Sequence, residues 1–491
     1  MPMWGGRSAA SAEECVARPA EVAFVALGCA KNLVDSEKML GQLAEAGAVI
    51  TSDGADADVI VINTCGFLEA SRQEAHEVIR EAIERKRRGR CRRVVVAGCL
   101  VQRDGRRLLE VFPEIDALVG VHNREDVVKA ALRDPVPVGR RGDRAADVYL
   151  GEHPPYYASA ETARLRLTPR HYAYLRISEG CNQRCTFCTI PAIRGPMRCK
   201  TPGLILEEAR ELIADGALEL NLIGQDTTSY GEDIGYEPGL PGLLRELDRL
   251  PGVRWIRLLY AYPSVFTDAM IEAIADGEHV VKYVDLPLQH INDRVLRAMG
   301  RGVTRARTEA LLDRIRSRIP GVAIRTTLIA GFPGETEAEF EELLAFVRGF
   351  RFDALGVFAY SREPETPAGR MRDQIPDDVK RRRVEALMAA QQEIAFDLAR
   401  RQVGRSFEVL VESAPVRENG LLVQRARHAG QAPEVDSVTF VEGGGLRPGE
   451  VAHVCCVGAR GYDLIARCAG VSLAVSAESA AAPVPPGRPG G

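Results

Sequence analysis

Cys181, Cys185 and Cys188 stand in the run Gly-Cys-Asn-Gln-Arg-Cys-Thr-Phe-Cys, a C-x3-C-x2-C spacing. Three thiolates this close can hold three irons of a cubane [4Fe–4S] cluster, which takes four ligands. The fourth iron is then open to a reacting molecule, as in open catalytic metal sites. The same residues could form a zinc site or, as Cys185 and Cys188 alone, a thioredoxin-like pair. Zinc usually takes paired C-x2-C units, and a redox pair leaves Cys181 unexplained. A second trio is spread along the chain. Cys29, Cys65 and Cys99 each follow a short Val- or Ile-rich run: Val22–Leu27, Val59–Ile62 and Val94–Ala97. They lie roughly 35 residues apart, about one βα repeat. In a parallel sheet the strand C-terminal ends share one edge, where ligands bind, so these cysteines can meet and form a second three-thiolate site. Core cysteines falling there by coincidence are the alternative.

The elements that must position these thiols follow from the apolar pattern. Residues 1–20 are expected to be a disordered start, and 471–491, rich in Ala, Pro, Ser and Gly, a disordered tail. Block 21–133 holds the three runs just named, each followed by a helical stretch, and predicts a parallel-sheet α/β domain. Residues 134–169, with many Pro, Arg, Gly and Asp and no periodicity, predict a linker. Block 170–402 offers six strands, Tyr174–Ile177, Leu218–Ile223, Trp255–Tyr260, Tyr283–Leu288, Ala323–Ile329 and Ala354–Tyr360, separated by amphipathic helices. Six βα units with right-handed crossovers curl into an open (β/α)6 partial barrel. Barrel chemistry sits at strand C-terminal ends, and Cys181 directly follows the first strand. A charged helix around Asp377–Arg401 leads to block 403–470, whose five short β-like runs predict a small antiparallel β-barrel.

Composition narrows the classes. The 491 residues carry 64 Lys and Arg against 68 Asp and Glu, a net charge of −4, so no global pull toward nucleic acid or a membrane exists. No apolar run is long enough to span a bilayer, and no signal-peptide core opens the chain, so a cytoplasmic protein is expected. Twelve cysteines in such a chain argue for metal ligation rather than disulfides.

The C-x3-C-x2-C run is the signature of radical S-adenosylmethionine (SAM) enzymes, and the two trios in this order, with a small β-barrel behind them, resemble the methylthiotransferase family of that superfamily. The likeness spans about 21–470. It rests on Gly28-Cys29-Ala30-Lys31-Asn32 with Asp35-Ser36-Glu37, Asn63-Thr64-Cys65-Gly66-Phe67 and Ala97-Gly98-Cys99. It continues in Ile177-Ser178-Glu179-Gly180-Cys181, Ile190-Pro191 with Arg194-Gly195, Pro287-Leu288-Gln289-His290 and Gly331-Phe332-Pro333-Gly334-Glu335-Thr336. The last barrel looks like the family's TRAM domain. One branch of the family modifies adenosine in transfer RNA; the other methylthiolates an aspartate of small-subunit ribosomal protein 12. The chain is similar to the second through His171-Tyr172-Ala173-Tyr174-Leu175, through Gly224-Gln225-Asp226-Thr227-Thr228-Ser229-Tyr230-Gly231, where the other branch tends to carry Asn at the Asp226 position, and through Ala432-Pro433-Glu434-Val435-Asp436. Cys199 departs mildly from the pattern, where a small polar residue is expected.

The resemblance implies a transferase with two [4Fe–4S] clusters and SAM. The cluster on Cys181, Cys185 and Cys188 binds SAM and reduces it, and the resulting deoxyadenosyl radical takes a hydrogen from the β-carbon of the target aspartate. The cluster on Cys29, Cys65 and Cys99 carries the added sulfur. Expected SAM contacts are Gln225 and Asp226 after the second barrel strand, and Thr327 to Gly331 at the fifth. Expected partners are ribosomal protein 12, free or on the ribosome, and an electron donor such as flavodoxin or ferredoxin, with no transfer RNA. Charge agrees: residues 403–470 hold seven Arg, no Lys and eight Asp or Glu, without the basic footprint of an RNA-binding barrel. The basic run Lys86–Arg93 is either a solvated helix end or a contact to ribosomal RNA. Two other functions remain open from sequence: the transfer-RNA enzyme of the same family, and a non-catalytic iron–sulfur redox sensor.

Overall fold

The computed structural model describes residues 18–52, 57–89, 91–133, 145–154, 157, 160–418 and 420–468. The expected disordered start, apart from 18–20, and the expected tail lie outside them. The first sheet contains β1 (Glu21–Ala26), β2 (Val49–Thr51), β3 (Val59–Thr64), β4 (Arg93–Gly98), β5 (Ala117–Val119) and β6 (Asp147–Tyr149), all parallel, in the order β2-β1-β3-β4-β5-β6. All six residues of β3 are buried because helices cover both faces of the sheet. Alternation sends Ile60, Ile62, Val94 and Val96 into one layer and Val59, Val61, Val95 and Ala97 into the other. Helices α1 (Ala30–Glu45), α2 (Glu69–Arg88) and α3 (Cys99–Asp104) follow β1, β3 and β4. Strand β6 corrects the expected linker: part of 134–169 is an edge strand of this sheet, and 134–144 lies outside the described residues.

The second sheet holds the six expected strands: β7 (Tyr172–Arg176), then, beyond a two-residue hairpin pair β8 (Ser178–Glu179) and β9 (Arg198–Cys199), β10 (Glu219–Ile223), β11 (Trp255–Leu258), β12 (Val280–Asp285), β13 (Ala323–Ala330) and β14 (Ala354–Ala359). All six pair parallel in chain order, with β7 and β14 at opposite edges, so the barrel stays open. Ala173, Leu175, Leu220, Leu222, Ile256 and Leu258 face the helical layer. Their alternates point inward, where Val34 of α1 packs with Tyr172, Tyr174, Ile223, Trp255, Leu259 and Tyr283.

The last domain comprises β15 (Ser406–Val411), β16 (Val416–Glu418), β17 (Leu421–His428), β18 (Thr439–Glu442), β19 (Val451–Arg460) and β20 (Asp463–Cys468). Its order is β15-β19-β20-β18-β17-β16, and β15 also pairs with β17, which closes five strands into a barrel. Pairings are antiparallel except β18 with β20. The turn after β17 reaches into the open barrel: Tyr172 and Tyr174 donate to Glu434 at 3.0 and 3.1 Å, Tyr283 donates to Asp436 at 2.7 Å, and Arg257 donates to the Ala429 carbonyl at 2.9 Å. Among the described residues no helix is long and apolar enough to cross a membrane.

Candidate metal and cofactor site

Cys29 caps α1, Cys65 directly follows β3 and Cys99 opens α3, so the first trio lies at the C-terminal ends of three adjacent strands, β1, β3 and β4. Gly28 permits this approach. Its φ is +96°, and a Cβ there would lie 2.8 Å from the Cβ of Cys65. Cys29 is accessible to solvent. Burial would raise its thiol, but Lys31, Arg194 and two backbone N–H groups outweigh that and hold it below the ordinary value. Burial pushes Cys65 up and Cys99 to about 12, against the opposing pull of Arg194 on the latter. A metal that displaces the protons relieves this cost, since ligation takes the thiolate.

Cys181, Cys185 and Cys188 lie in the loop between β8 and the short helix Ile190–Arg194. Backbone N–H groups of Gln183 and Ile190 donate to the Cys181 and Cys188 sulfurs, each at 3.4 Å. Burial raises Cys181 to about 11 and Cys188 to about 12. Arg301 donates to the Cys185 sulfur at 3.5 Å and lies over the Tyr262 ring, whose hydroxyl is 3.8 Å from the same sulfur. Among the described residues no three His, Cys, Asp or Glu side chains are placed to hold a single metal ion. Two sets of three free cysteines, with N–H or guanidinium donors on their sulfurs, fit iron–sulfur clusters.

The expected SAM contacts divide. Both amide atoms of Gln225 are buried without a partner, and a buried orphan amide beside the cysteine loop fits a polar ligand. Asp226 is internally occupied: it accepts from Gln183 at 2.7 Å, from both hydrogen-bonding groups of Thr228 at 3.0 and 2.8 Å, and from the backbone and hydroxyl of Ser229 at 3.3 and 3.0 Å. It therefore orients the cysteine loop through Gln183. Thr327 is half-buried on β13, and its carbonyl accepts from Gln289 at 2.8 Å. The Gly331 N–H donates to Glu335 at 2.6 Å, and a Cβ on Gly331 would lie 2.4 Å from Lys380 Cγ, which makes it the turn between strand and helix. Burial lifts Glu335 to about 7. His290 is fully buried, accepts from the Asn292 N–H at 3.0 Å and is lowered by burial to about 4. The Cys199 sulfur accepts from Gly231 N–H at 3.3 Å, away from either trio.

Between the trios lies a buried ion network that sequence reasoning did not anticipate. Asp35 on α1 accepts from Arg124 and Arg176 at 2.7 Å and from Arg194 at 2.8 Å. Glu161 pairs with Arg124 at 2.8 Å, Lys200 at 2.7 Å and Arg176. Glu179 accepts from Arg194, from Arg198 at 3.0 Å and from Tyr157 at 3.2 Å. Burial works against each carboxylate, but the surrounding guanidiniums hold all three below the usual range. Arg194 also donates to the Cys99 sulfur at 3.2 Å. On another side, Glu363 of the barrel accepts from Arg72 at 2.6 Å and Arg103 at 2.8 Å, and Arg103 donates to the carbonyl of Gly66, beside Cys65, at 2.9 Å. The basic run pairs mostly with carboxylates: Lys86 with Asp116, Arg87 with Glu114, Arg88 with Glu84 and Arg93 with Asp147.

Residues 21–120 match the uncharacterized protein family UPF0004, 175–347 the radical SAM superfamily and 403–469 the TRAM domain. The chain is 46% identical over 471 residues to the ribosomal protein uS12 methylthiotransferase RimO of Anaeromyxobacter sp. strain K, covering 95% of this chain and 97% of that one. It is 42% identical over 446 residues to RimO of Geobacter sulfurreducens, covering 91% and 98%. Among solved structures, the radical S-adenosylmethionine methyltransferase TsrM of Kitasatospora setae, with cobalamin and a [4Fe–4S] cluster bound, superposes with a TM-score of 0.53 at 19% identity, covering 72% of this chain and 77% of that one, a likeness of fold.

Proposed function

The chain belongs to the RimO family of radical SAM methylthiotransferases, and we propose that it attaches a methylthio group to the β-carbon of an aspartate in ribosomal protein uS12. It is an enzyme that uses an iron–sulfur cluster and SAM. In our reading it works in the cytoplasm with two [4Fe–4S] clusters, one on Cys181, Cys185 and Cys188 and one on Cys29, Cys65 and Cys99. When bound, these clusters and SAM supply the one-electron chemistry that removes hydrogen from an unactivated carbon, and the sulfur that replaces it. The observation that carries the two-cluster reading is a buried contact from the helix after the second trio to a cysteine of the first. Arg194, six residues past Cys188, reaches the Cys99 sulfur at 3.2 Å.

The chain's own residues then have definite work. Arg301 and Tyr262 brace Cys185, and Asp226 holds the cysteine loop through Gln183. Gln225 offers SAM a donor and an acceptor. The Asp35–Glu161–Glu179 network keeps the first domain over the barrel and water out of the interface. The reducing partner is an electron donor such as flavodoxin or ferredoxin, and transfer RNA is no substrate. The near-neutral last domain and the internal pairing of the Lys86–Arg93 run support that exclusion.

An anaerobic assay with dithionite, SAM and uS12 tests the reading. The native chain releases deoxyadenosine and forms methylthio-aspartate, and it carries about eight irons. Cys185→Ala abolishes SAM cleavage, whereas Cys65→Ala spares cleavage and stops sulfur insertion. Full methylthiolation by Cys65→Ala would end the two-cluster reading, and an unmodified aspartate with the native chain would end the assignment of substrate.

A further inference from the structure

Arg194 belongs by sequence to the barrel, at the end of the helix Ile190–Arg194 that follows the C-x3-C-x2-C loop. By contact it also belongs to the first domain. It is 1% exposed, and one Nη donates to the Cys99 sulfur at 3.2 Å and to Asp35 at 2.8 Å, while the other donates to Glu179. The preceding Ile193 packs against Cys99 and Val121. The carboxylates do not require this arginine. Asp35 is already held by Arg124 and Arg176, and Glu179 by Arg198 and Tyr157. The contact to the Cys99 sulfur is what distinguishes Arg194 from the other cations of the network.

A guanidinium stays charged at any working pH and offers donors in a rigid fork. Hydrogen bonds to cluster sulfurs and nearby charge set the reduction potential of an iron–sulfur centre. A buried cation beside one ligand favours the more negative, reduced state. Resting on the two-cluster reading above, we propose that Arg194 is a positioning residue of the first-domain cluster, supplied from the barrel, so that docking of the two domains raises that cluster's potential and ties it to the loop that holds the other.

The test uses the full chain with Cys181, Cys185 and Cys188 replaced by Ala, which leaves one cluster to titrate. Redox titration followed by electron paramagnetic resonance gives its midpoint. Arg194→Gln is expected to lower the midpoint by at least a tenfold change in the reduction equilibrium, about 59 mV for one electron. Arg194→Lys, which keeps the charge but not the fork, is expected to fall between. Arg198→Gln removes a Glu179 partner that touches no sulfur and is expected to leave the midpoint in place. An unmoved midpoint in Arg194→Gln, or an equal shift in Arg198→Gln, overturns the inference. Where Arg194→Gln does not retain iron, Arg194→Lys decides, and an unmoved midpoint there overturns it. A triple-Ala chain that binds no iron with Arg194 intact ends the two-cluster reading itself, a failure distinguishable from loss of the arginine effect.

Discussion

Asp35→Asn keeps the side chain's shape, removes its charge and turns an amide toward guanidiniums. Asp35 is 2% exposed and takes three arginines at 2.7, 2.7 and 2.8 Å, two of them, Arg176 and Arg194, from the barrel. Removing one partner of a buried ion pair costs about 3–5 kcal/mol, because the other charges stay buried without compensation. Even the lower figure, about 3 kcal/mol, is roughly a hundredfold in the docking equilibrium of the first domain. Contacts around Glu363 remain, so the domains stay loosely joined rather than separated. Hydrogen exchange is expected to accelerate in Ala30–Glu45 and Ile190–Arg194, and methylthio-aspartate formed per deoxyadenosine to fall while SAM cleavage persists. Native exchange in both segments together with a native product ratio would refute the assignment of this network to docking.

Acid should act on the same interface with a definite sign. Asp35, Glu161 and Glu179 are held below their unfolded values, so their contribution is fully present above the unfolded carboxylate pKa of about 4 and is lost as pH falls through the folded ones. Exchange protection in α1 is therefore expected to hold from pH 7 to about 4 and fall only below that; loss between pH 7 and 5 would contradict the pairing. Gly28→Ala places a methyl 2.8 Å from the Cys65 Cβ on a backbone with φ of +96°. It is expected to lower iron by about half, four atoms for one lost cubane, with SAM cleavage retained, as iron and deoxyadenosine assays will show. Glu434→Ala leaves the Tyr172 and Tyr174 hydroxyls without their acceptor. A cost of about 1–3 kcal/mol for each is expected as a lowered melting temperature and faster proteolysis of the last domain.

The strands were legible where burial is two-sided. Runs such as Val59–Ile62 and Val94–Ala97 are apolar throughout because helices cover both faces of a parallel sheet. The three-residue strands β2, β5, β6 and β16 are not legible in the sequence. β6 is the Asp-Val-Tyr edge of the sheet, half-buried, with no apolar run to announce it. The cysteines were legible because one trio is local and the other recurs in phase with the βα repeat. The ion network was not, because its partners are remote in sequence: Asp35 lies 141 residues from Arg176 and 159 from Arg194. One signal existed. Arg176 ends an otherwise apolar strand at the same inward alternation as Tyr172 and Tyr174, and a charge there must find a buried partner. Arg301 and Tyr262 carried no such signal, since they reach Cys185 from separate loops.

The neutrality of the last domain takes on a physical reason once its contacts are known. Arg427 is buried between Glu219 of the barrel at 2.6 Å and Glu412 of its own domain at 2.5 Å. Arg425 pairs with Glu412 and Arg467 with Glu442. Glu434 and Asp436 meet barrel tyrosines. The charges of this domain are thus largely matched to each other and to the barrel, whereas an RNA-binding surface needs unmatched cations facing solvent to displace counterions. The Ala429–Asp436 turn meets the inner face of the barrel at Tyr172 and Tyr174 of β7, Arg257 of β11 and Tyr283 of β12. The Ala432–Asp436 run, one of three that liken this chain to the ribosomal-protein branch, therefore makes a contact between the last domain and the barrel. That contact fixes the last domain against the barrel.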